Sequence, residues 1–228
     1  MGKNKEINKP HLILCEGEDA TLFMIYYLTA LIKNGEEEFN NFQAMNFGGN
    51  EELTNYLHLL PNLPNYNSVK SITIIRDAEK DYVAAIQSIR AVLKNQGFPE
   101  PFRPNEIARD DNIKVAFSLF PTLSENAKDG TLEELYINNL AESPAPDKVI
   151  KNIDIFIDDL KYNGRDFPRI HKSRLYTYFS VTDKFTSLKL AEAAKAGAFQ
   201  FDCGEMNCLK KLLKARPLHK LATNYEQS

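Results

Sequence analysis

Short apolar runs alternate with helical patterns over residues 1–140, and this alternation constrains the fold more than any other feature of the sequence. Apolar runs of about four to eight residues are typical of buried strands, and the helical patterns between them indicate the crossover helices that parallel strands require. Four runs are predicted to be strands: residues 11–15, 42–47, 71–75 and 113–120. The pattern predicts an α/β fold with a mostly parallel sheet of about four strands flanked by helices.

The alternation stops near residue 142, and the rest of the chain has a mainly helical pattern. Amphipathic stretches follow at residues 149–160, 169–179, 187–196 and 205–214. Residues 143–146, Ser-Pro-Ala-Pro, have the composition of a linker. Because a chain of 228 residues favours one domain, we predict a single domain over 1–228. Its core covers about 8–142 and its helical C-terminal part about 147–228.

Charge is distributed unevenly along the chain. The formal net charge of −3 excludes a disordered polyelectrolyte and a histone-like basic protein. Residues 161–228 contain 13 Lys plus Arg against 6 Asp plus Glu, a local charge of +7, so the other 160 residues carry −10. An acidic half joined to a basic half suits a protein that holds metal ions on one side and a phosphate backbone on the other, although ordinary exposed helix faces give the same count.

Cysteine and histidine usage narrows the possible chemistry and location. The three cysteines form no C-x-x-C motif, which favours a reduced, cytoplasmic protein. The four histidines are scattered and do not have the spacing of a zinc site, so any metal ligands should be oxygens. The longest apolar run, residues 22–32, is short and interrupted by polar residues, and the first residues lack the pattern of a secretory signal. We therefore expect no membrane span.

Acidic residues follow three of the four predicted strands. They are Glu16, Glu18 and Asp19 after the first strand, Asp77 and Glu79 after the third, and Glu133 and Glu134 after the fourth. Because the carboxyl ends of parallel strands meet at one edge of a sheet, we expect these side chains to lie close together. Clustered carboxylates raise each other's pKa and are costly without a neutralising cation, for which Mg²⁺ or Mn²⁺ is suited.

A purely structural role is open for some of these acids. Asp19, Glu133 and Glu134 could be favourable charges in the first turn of a helix. Asp81 is predicted to be only the N-cap of the helix that begins at Tyr82. Asp77 and Glu79 directly follow an apolar strand and have no obvious structural duty.

Two segments carry a resemblance to a known family: residues 12–19, Leu-Ile-Leu-Cys-Glu-Gly-Glu-Asp, and residues 72–79, Ile-Thr-Ile-Ile-Arg-Asp-Ala-Glu. In this order they resemble the Toprim domain of topoisomerases, bacterial primases and OLD-type nucleases. The resemblance extends more weakly to 119–121, 130–135 and the region of Lys172. Together these segments are similar to small stand-alone Toprim-like proteins of uncharacterised function. One departure from the pattern is Glu79, which stands where the family usually has a second Asp.

The resemblance implies a Toprim or Rossmann-like fold and roles for the acids. It implies that Glu16 is a general acid or base near the scissile phosphate and a candidate metal ligand, and that Asp77 and Glu79 hold a first Mg²⁺ or Mn²⁺. Asp19 could join that first metal. By similarity to the OLD-type nucleases, Glu133 or Glu134 reaches a second metal.

Basic and aromatic residues near position 172 are candidates for contact with nucleic acid. Lys172 is our candidate for neutralising charge on the phosphoryl group, with Arg174 beside it. A solvated lysine on a helix face is the alternative. Tyr176, Tyr178 and Phe179 could stack on bases, but aromatic residues at this spacing are more typical of a core.

The leading hypothesis from these patterns is a metal-dependent enzyme that cleaves phosphodiester bonds in DNA or RNA, in defence or repair. No P-loop motif occurs, so an ATPase or defence-system partner would be a separate chain. Nucleotidyl transfer is a second enzymatic hypothesis. The third is a non-catalytic Toprim-like scaffold that binds a nucleotide, a nucleic acid or a protein partner, and the Asp77-x-Glu79 variation keeps it open. The oligomeric state is not predicted.

Overall fold

The structure is a computed structural model that describes residues 6–122, 129–141 and 148–215. The strands within these residues are β1 (His11–Glu16), β2 (Phe42–Gly48), β3 (Ser71–Asp77), β4 (Ile107–Arg109) and β5 (Lys114–Phe120). The α-helices are α1 (Gly17–Lys33), α2 (Leu53–Leu59), α3 (Tyr82–Asn95), α4 (Leu132–Ala141), α5 (Lys148–Tyr162), α6 (Ile170–Ser180), α7 (Leu190–Ala193) and α8 (Gly204–Lys214). The linker predicted at 143–146 lies outside the described residues.

The five strands form one sheet in the order β2-β1-β3-β5-β4. Four of them are parallel, and β4 is antiparallel to β5. The predicted α/β class with a mostly parallel sheet and a helical C-terminal part is confirmed. The four predicted strands are the four parallel ones. Strand β4 was not predicted, because it has only three residues and two of them, Ile107 and Arg109, are exposed.

Two apolar layers cover the sheet, one on each face. Along β1, Ile13 and Cys15 pack into one layer with α1, while Leu12 and Leu14 pack into the other with α2 and α3. Strands covered on both faces are expected to be apolar at consecutive positions, which is the pattern of β1 and β3. Each such buried aliphatic side chain contributes about 1.5–3 kcal/mol.

The C-terminal helices share the first of these layers. The hydroxyl of Tyr27 on α1 donates to the backbone oxygen of Met206 on α8 at 2.8 Å, and that of Tyr136 on α4 donates to Leu190 on α7 at 2.7 Å. Phe23 makes ring contacts with both Tyr136 and Phe199. The C-terminal helices therefore pack on α1 and α4, and this packing brings α6 close to the carboxyl ends of the strands.

The strand register sets which side chains meet at that edge. His11 pairs with Ser71 and Cys15 with Ile75, so Glu16 is level with Arg76. Asp77 pairs with Phe120 at the last position of β5. The ends of β1, β3 and β5 therefore present their next residues to the same space.

Of the described residues, none belongs to a helix both long and apolar enough to cross a lipid bilayer.

Candidate functional site

Five acidic side chains gather near the carboxyl ends of β1 and β3, and we call this group the acidic edge. Its members are Glu16, Asp19, Asp77, Glu79 and Glu133. Each of them either raises the pKa of another member through its charge or has its own pKa raised in this way. The acidic edge contains residues from all three acid segments singled out in the sequence.

Glu16 ends β1, and its side chain is 17% exposed. Gly17 follows with φ +78°, a left-handed conformation that glycine adopts at little cost, so the chain turns directly into α1. Burial raises the pKa of Glu16, while the neighbouring Arg76 lowers it. The Oε2 atom of Glu16 lies 3.6 Å from Nε of Arg76 and is buried without a hydrogen bond within the described residues. Glu16 thus holds an unsatisfied acceptor at the end of the central strands.

Arg76 is a feature of the site that the sequence reasoning missed. Its side chain is 3% exposed, and burial lowers its pKa, whereas Glu16, Asp77 and Glu79 raise it. An arginine inside an otherwise apolar strand was the available signal, since buried arginines are almost always paired. Arg76 places a fixed positive charge beside the acids, and this partly neutralises them.

Asp77 lies at the centre of the acidic edge. Its Oδ1 atom accepts a hydrogen bond from the backbone N–H of Leu132 at 3.0 Å, at the start of α4. Burial raises the pKa of Asp77 well above its usual range, and the charges of Glu133, Glu16 and Glu79 raise it further. The single hydrogen bond from Leu132 offsets only part of this. The surroundings of Asp77 therefore strongly disfavour its negatively charged form.

Glu79 has an unusual backbone. Its φ is +58°, in the left-handed region that non-glycine residues seldom occupy. Its N–H donates to Gly130 at 2.8 Å and its carbonyl accepts from Gly130 at 2.6 Å. Such conformations cost on the order of 1–3 kcal/mol and cluster at functional sites. The two hydrogen bonds fix the backbone of Glu79 to the segment that precedes α4, and its side chain is exposed.

The adjacent acids Glu133 and Glu134 have different surroundings. Glu133 is buried next to Asp77, and its Oε1 atom lies 3.3 Å from Nζ of Lys172. Glu134 accepts a hydrogen bond from the N–H of Thr131 at 3.1 Å and lies 3.0 Å from Nδ1 of His171. Glu134 therefore caps its own helix, and Glu133 alone of the two joins the acidic edge.

Asp19 connects α1 to the same group. It is half-buried, and burial raises its pKa. The charge of Glu133 raises it further, while Lys172 and Lys189 lower it. Asp19 is therefore close to both Glu133 and Lys172.

Lys172 and Arg174, the two basic candidates on α6, have different acidic partners because of how the helices pack. Burial lowers the pKa of Lys172, but Glu133, Tyr176 and Asp19 raise it more, so its ammonium is held in its charged form at the acidic edge. Arg174 instead forms a bidentate ion pair with Asp154 of α5, at 2.6 and 2.8 Å. Of the aromatic candidates, Tyr178 is core, whereas Tyr176 is 37% exposed near Asp19. Phe179 is also core.

Asp81 is the N-cap of α3, as predicted. Its Oδ1 atom accepts a hydrogen bond from the N–H of Ala84 at 2.8 Å. The acid at this position therefore belongs to the helix and not to the acidic edge.

A cavity of about 280 Å³ opens beside the acidic edge. Asp77, Glu79 and Glu133 line it together with the basic side chains of Lys80, Arg169 and Lys172. The remaining lining residues are Thr131, Pro168 and His171. A second cavity, of about 330 Å³, lies at the amino ends of β1, β3 and β5 and has only one acid, Glu38. The clustered carboxylates thus border the cavity at the carboxyl ends of the strands.

The acidic edge suits a hard divalent cation in its chemistry. All its donors are carboxylate oxygens, which Mg²⁺ and Mn²⁺ prefer, and the buried Oε2 atom of Glu16, 3.6 Å from Nε of Arg76, accepts no hydrogen bond among the described residues. Within residues 6–122, 129–141 and 148–215, no group of three or more His, Cys, Asp or Glu side chains is arranged so that it could hold a metal ion without a side-chain rearrangement. Asp77, Glu79, Glu133 and Glu16 are the residues that would hold the cation.

A comparison with family models gives one match, described as a protein of unknown function (DUF3226), over residues 10–216. That range includes every residue of the acidic edge and all the described helices and strands up to α8. No curated protein and no solved structure matches the chain. The match spans most of the sequence, and the chain therefore belongs to the DUF3226 family.

Proposed function

We propose that the protein hydrolyses phosphodiester bonds in DNA or RNA with Mg²⁺ or Mn²⁺. The observation that carries this proposal is the position of Asp77 among three other carboxylates, Glu133, Glu16 and Glu79, whose charges add to burial in raising its pKa. Such a cluster costs stability unless a cation neutralises it, and sites of perturbed pKa are often functional. The resemblance to Toprim domains supports the same reaction class.

Each residue has a proposed role in the reaction. Asp77, Glu79 and Glu133 hold the cation, and Asp19 supports them from α1. Glu16 exchanges a proton near the scissile phosphate, because burial raises its pKa above the ordinary value of a glutamate. Lys172 faces the cavity and places its ammonium beside the phosphoryl oxygens. When bound, a divalent cation supplies charge stabilisation and a more acidic water.

A non-catalytic scaffold is the second candidate function, and a specific observation favours it. Arg76 lies against Glu16, and Lys172 lies against Glu133, so two protein cations already neutralise part of the acidic edge. In a scaffold, this balance would hold the fold together and the cavity would bind a ligand without cleaving it. Nucleotidyl transfer at the same acids would lengthen or join strands instead of shortening them.

We also propose that the protein acts in the cytoplasm. None of its three cysteines, all within the described residues, forms a disulfide bond, as expected of a protein in a reducing compartment. Any ATPase or defence-system partner would be a separate chain.

The test is a cleavage assay with single- and double-stranded DNA and RNA in Mg²⁺, Mn²⁺ or EDTA. The wild type should release shorter products only with metal. Asp77→Asn should abolish this cleavage, because it removes the charge but keeps an oxygen that can accept from Leu132. Asp111→Asn, at an exposed position away from the acidic edge, is the matched control and should cleave normally. Metal-dependent cleavage that survives in Asp77→Asn would overturn the proposal.

A further inference from the structure

The basic side chains that line the cavity beside the acidic edge differ in whether they already have partners. Lys172 lies 3.3 Å from Glu133, and His171 lies 3.0 Å from Glu134. Lys80 and Arg169 also line the cavity, are exposed, and make no ion pair within the described part of the chain. They come from two distant segments, the turn between β3 and α3 and the residue that precedes α6. Two unpaired cations thus converge on one small cavity.

The amino end of α6 adds to the positive character of this wall. Arg169 is the N-cap of α6, and its side chain makes no capping hydrogen bond. The first N–H groups of a helix lack partners within the helix and favour a nearby anion. Because Arg169 and Lys172 line the cavity, this end of α6 borders it, and Lys80 and Arg169 supply the positive charge that a phosphate would contact.

The size and lining of the cavity restrict what that phosphate can belong to. A volume of about 280 Å³ is at the small end of ligand sites, which span about 300–1,000 Å³. Among the described residues, no Phe, Tyr or Trp side chain lines the cavity, so the large aromatic rings that usually stack on bases are absent from this lining. A nucleotide of a flexible single strand can enter a space of this size, whereas a base-paired nucleotide is held within the duplex.

We propose that this cavity is a phosphate-binding site for single-stranded nucleic acid without base preference, in which Lys80 and Arg169 contact the phosphate. The inference deepens the proposed function and rests on it, because the phosphate would lie against Asp77, Glu79 and Glu133. The three acids are matched by the three basic residues Lys80, Arg169 and Lys172, so the lining has no net charge, counting histidine as neutral. A cation held by the acids would make it positive.

The test measures binding, not cleavage, so that the two proposals can fail separately. Fluorescence anisotropy follows labelled oligothymidylate, oligoadenylate and a matched duplex over a range of salt concentrations, in Ca²⁺ and in EDTA. The variant is Lys80→Gln/Arg169→Gln. Its control is Lys94→Gln/Arg109→Gln, which removes the same charges at exposed positions outside the cavity. Circular dichroism checks that both variants are folded.

We expect the wild type and the control to bind both single strands equally and the duplex about tenfold more weakly. The cavity variant should lose about tenfold in affinity for single strands. Its slope of log affinity against log salt should fall by about 1.4, since each phosphate contact on a single strand contributes about 0.7. A change in that slope would not follow from a purely structural role.

Three results would overturn the inference: no binding by the wild type in either buffer, equal losses in the cavity variant and the control, or preferential binding of the duplex. Inorganic phosphate is added as a competitor, and if it binds as tightly as the strand, the site serves a small phosphate and the single-strand assignment is wrong. Loss of binding in the cavity variant without any cleavage by the wild type would leave the phosphate site standing and reject the nuclease.

Discussion

The acidic edge and the surface network of Glu36, Glu38, Lys210 and Lys214 both gather charged side chains, but their charges are balanced differently. In the network, Lys214 lies 2.5 Å from Glu36 and 2.8 Å from Glu38, and Lys210 lies 3.3 Å from Glu36. The hydrogen bond from Lys214 is the main reason that the pKa of Glu36 is lowered. At the acidic edge, burial and neighbouring acids raise the pKa values of Glu16, Asp19 and Asp77 instead.

This difference indicates what each region contributes. Two acids matched by two lysines at the surface favour the folded state, although only modestly, because solvent screens such pairs. Five acids that form ion pairs, within the described residues, only with Arg76 and Lys172 disfavour it at neutral pH. A region that lowers stability is expected where the function requires it. Measuring both activity and stability on the same variants distinguishes the contribution of one region from that of the other.

After the loss of cleavage expected in Asp77→Asn, the largest effect concerns Lys172 and its neighbour Arg174. Lys172→Gln should lower the cleavage rate about a hundredfold, because it removes a charge beside the phosphoryl group while keeping a donor for Glu133. Arg174→Gln should leave the rate within about twofold, because Arg174 is engaged with Asp154. Single-turnover rates at saturating substrate provide the measurement. Equal losses in the two variants would contradict the separation of the two residues on α6.

The next effect is a gain in stability on neutralising Asp77. Since the pKa of Asp77 is higher in the folded than in the unfolded protein, the folded state binds more protons between the two values. Stability therefore falls as pH rises from the ordinary value of 3.8 through the raised folded value. Asp77→Asn should raise the unfolding free energy at pH 7 by on the order of 1 kcal/mol, or a few degrees in Tm.

Denaturant unfolding of wild type and Asp77→Asn over a pH series, without metal, checks this prediction. The variant should lose less stability than the wild type as pH rises. Asp111→Asn should follow the wild type, because Asp111 lies outside the acidic edge. A variant less stable than the wild type at pH 7 would show that Asp77 is needed for the fold through its hydrogen bond to Leu132.

The smallest effect is expected in the surface network. Glu36→Gln removes the carboxylate shared by Lys210 and Lys214 and should lower stability by at most about 1 kcal/mol. The effect should shrink as salt is added, because the side chains are largely solvated. Cleavage should be unchanged. Thermal unfolding at low and high salt gives the measurement, and a drop in cleavage rate would show that the network and the acidic edge are coupled.

Part of this structure could be predicted from the sequence because it depends on local patterns. The apolar runs that precede Glu16 and Asp77 indicate buried parallel strands. The carboxyl ends of such strands meet at one edge of the sheet, however the helices pack on it. The same argument identified the acid segments that form the acidic edge. The role of Asp81 as an N-cap followed from its position before α3.

The remaining features depend on tertiary packing and were not predictable from local patterns. Glu133 and Glu134 are neighbours on one helix, and only the orientation of α4 decides which of them faces Asp77. The position of α6 similarly separates Lys172 from Arg174. Lys80 and Arg169 lie 89 positions apart, so only the folded chain brings them to one cavity. The strand β4 has too few residues to show a period.

The central claim is that the acidic edge binds a divalent cation. Titration with Mn²⁺, followed by the electron paramagnetic resonance signal of the free ion, tests it without any substrate. The wild type and Asp111→Asn should bind Mn²⁺, and Mg²⁺ should compete, whereas Asp77→Asn should bind at least about tenfold more weakly. Equal binding by the wild type and Asp77→Asn, or no binding by the wild type, would contradict the claim.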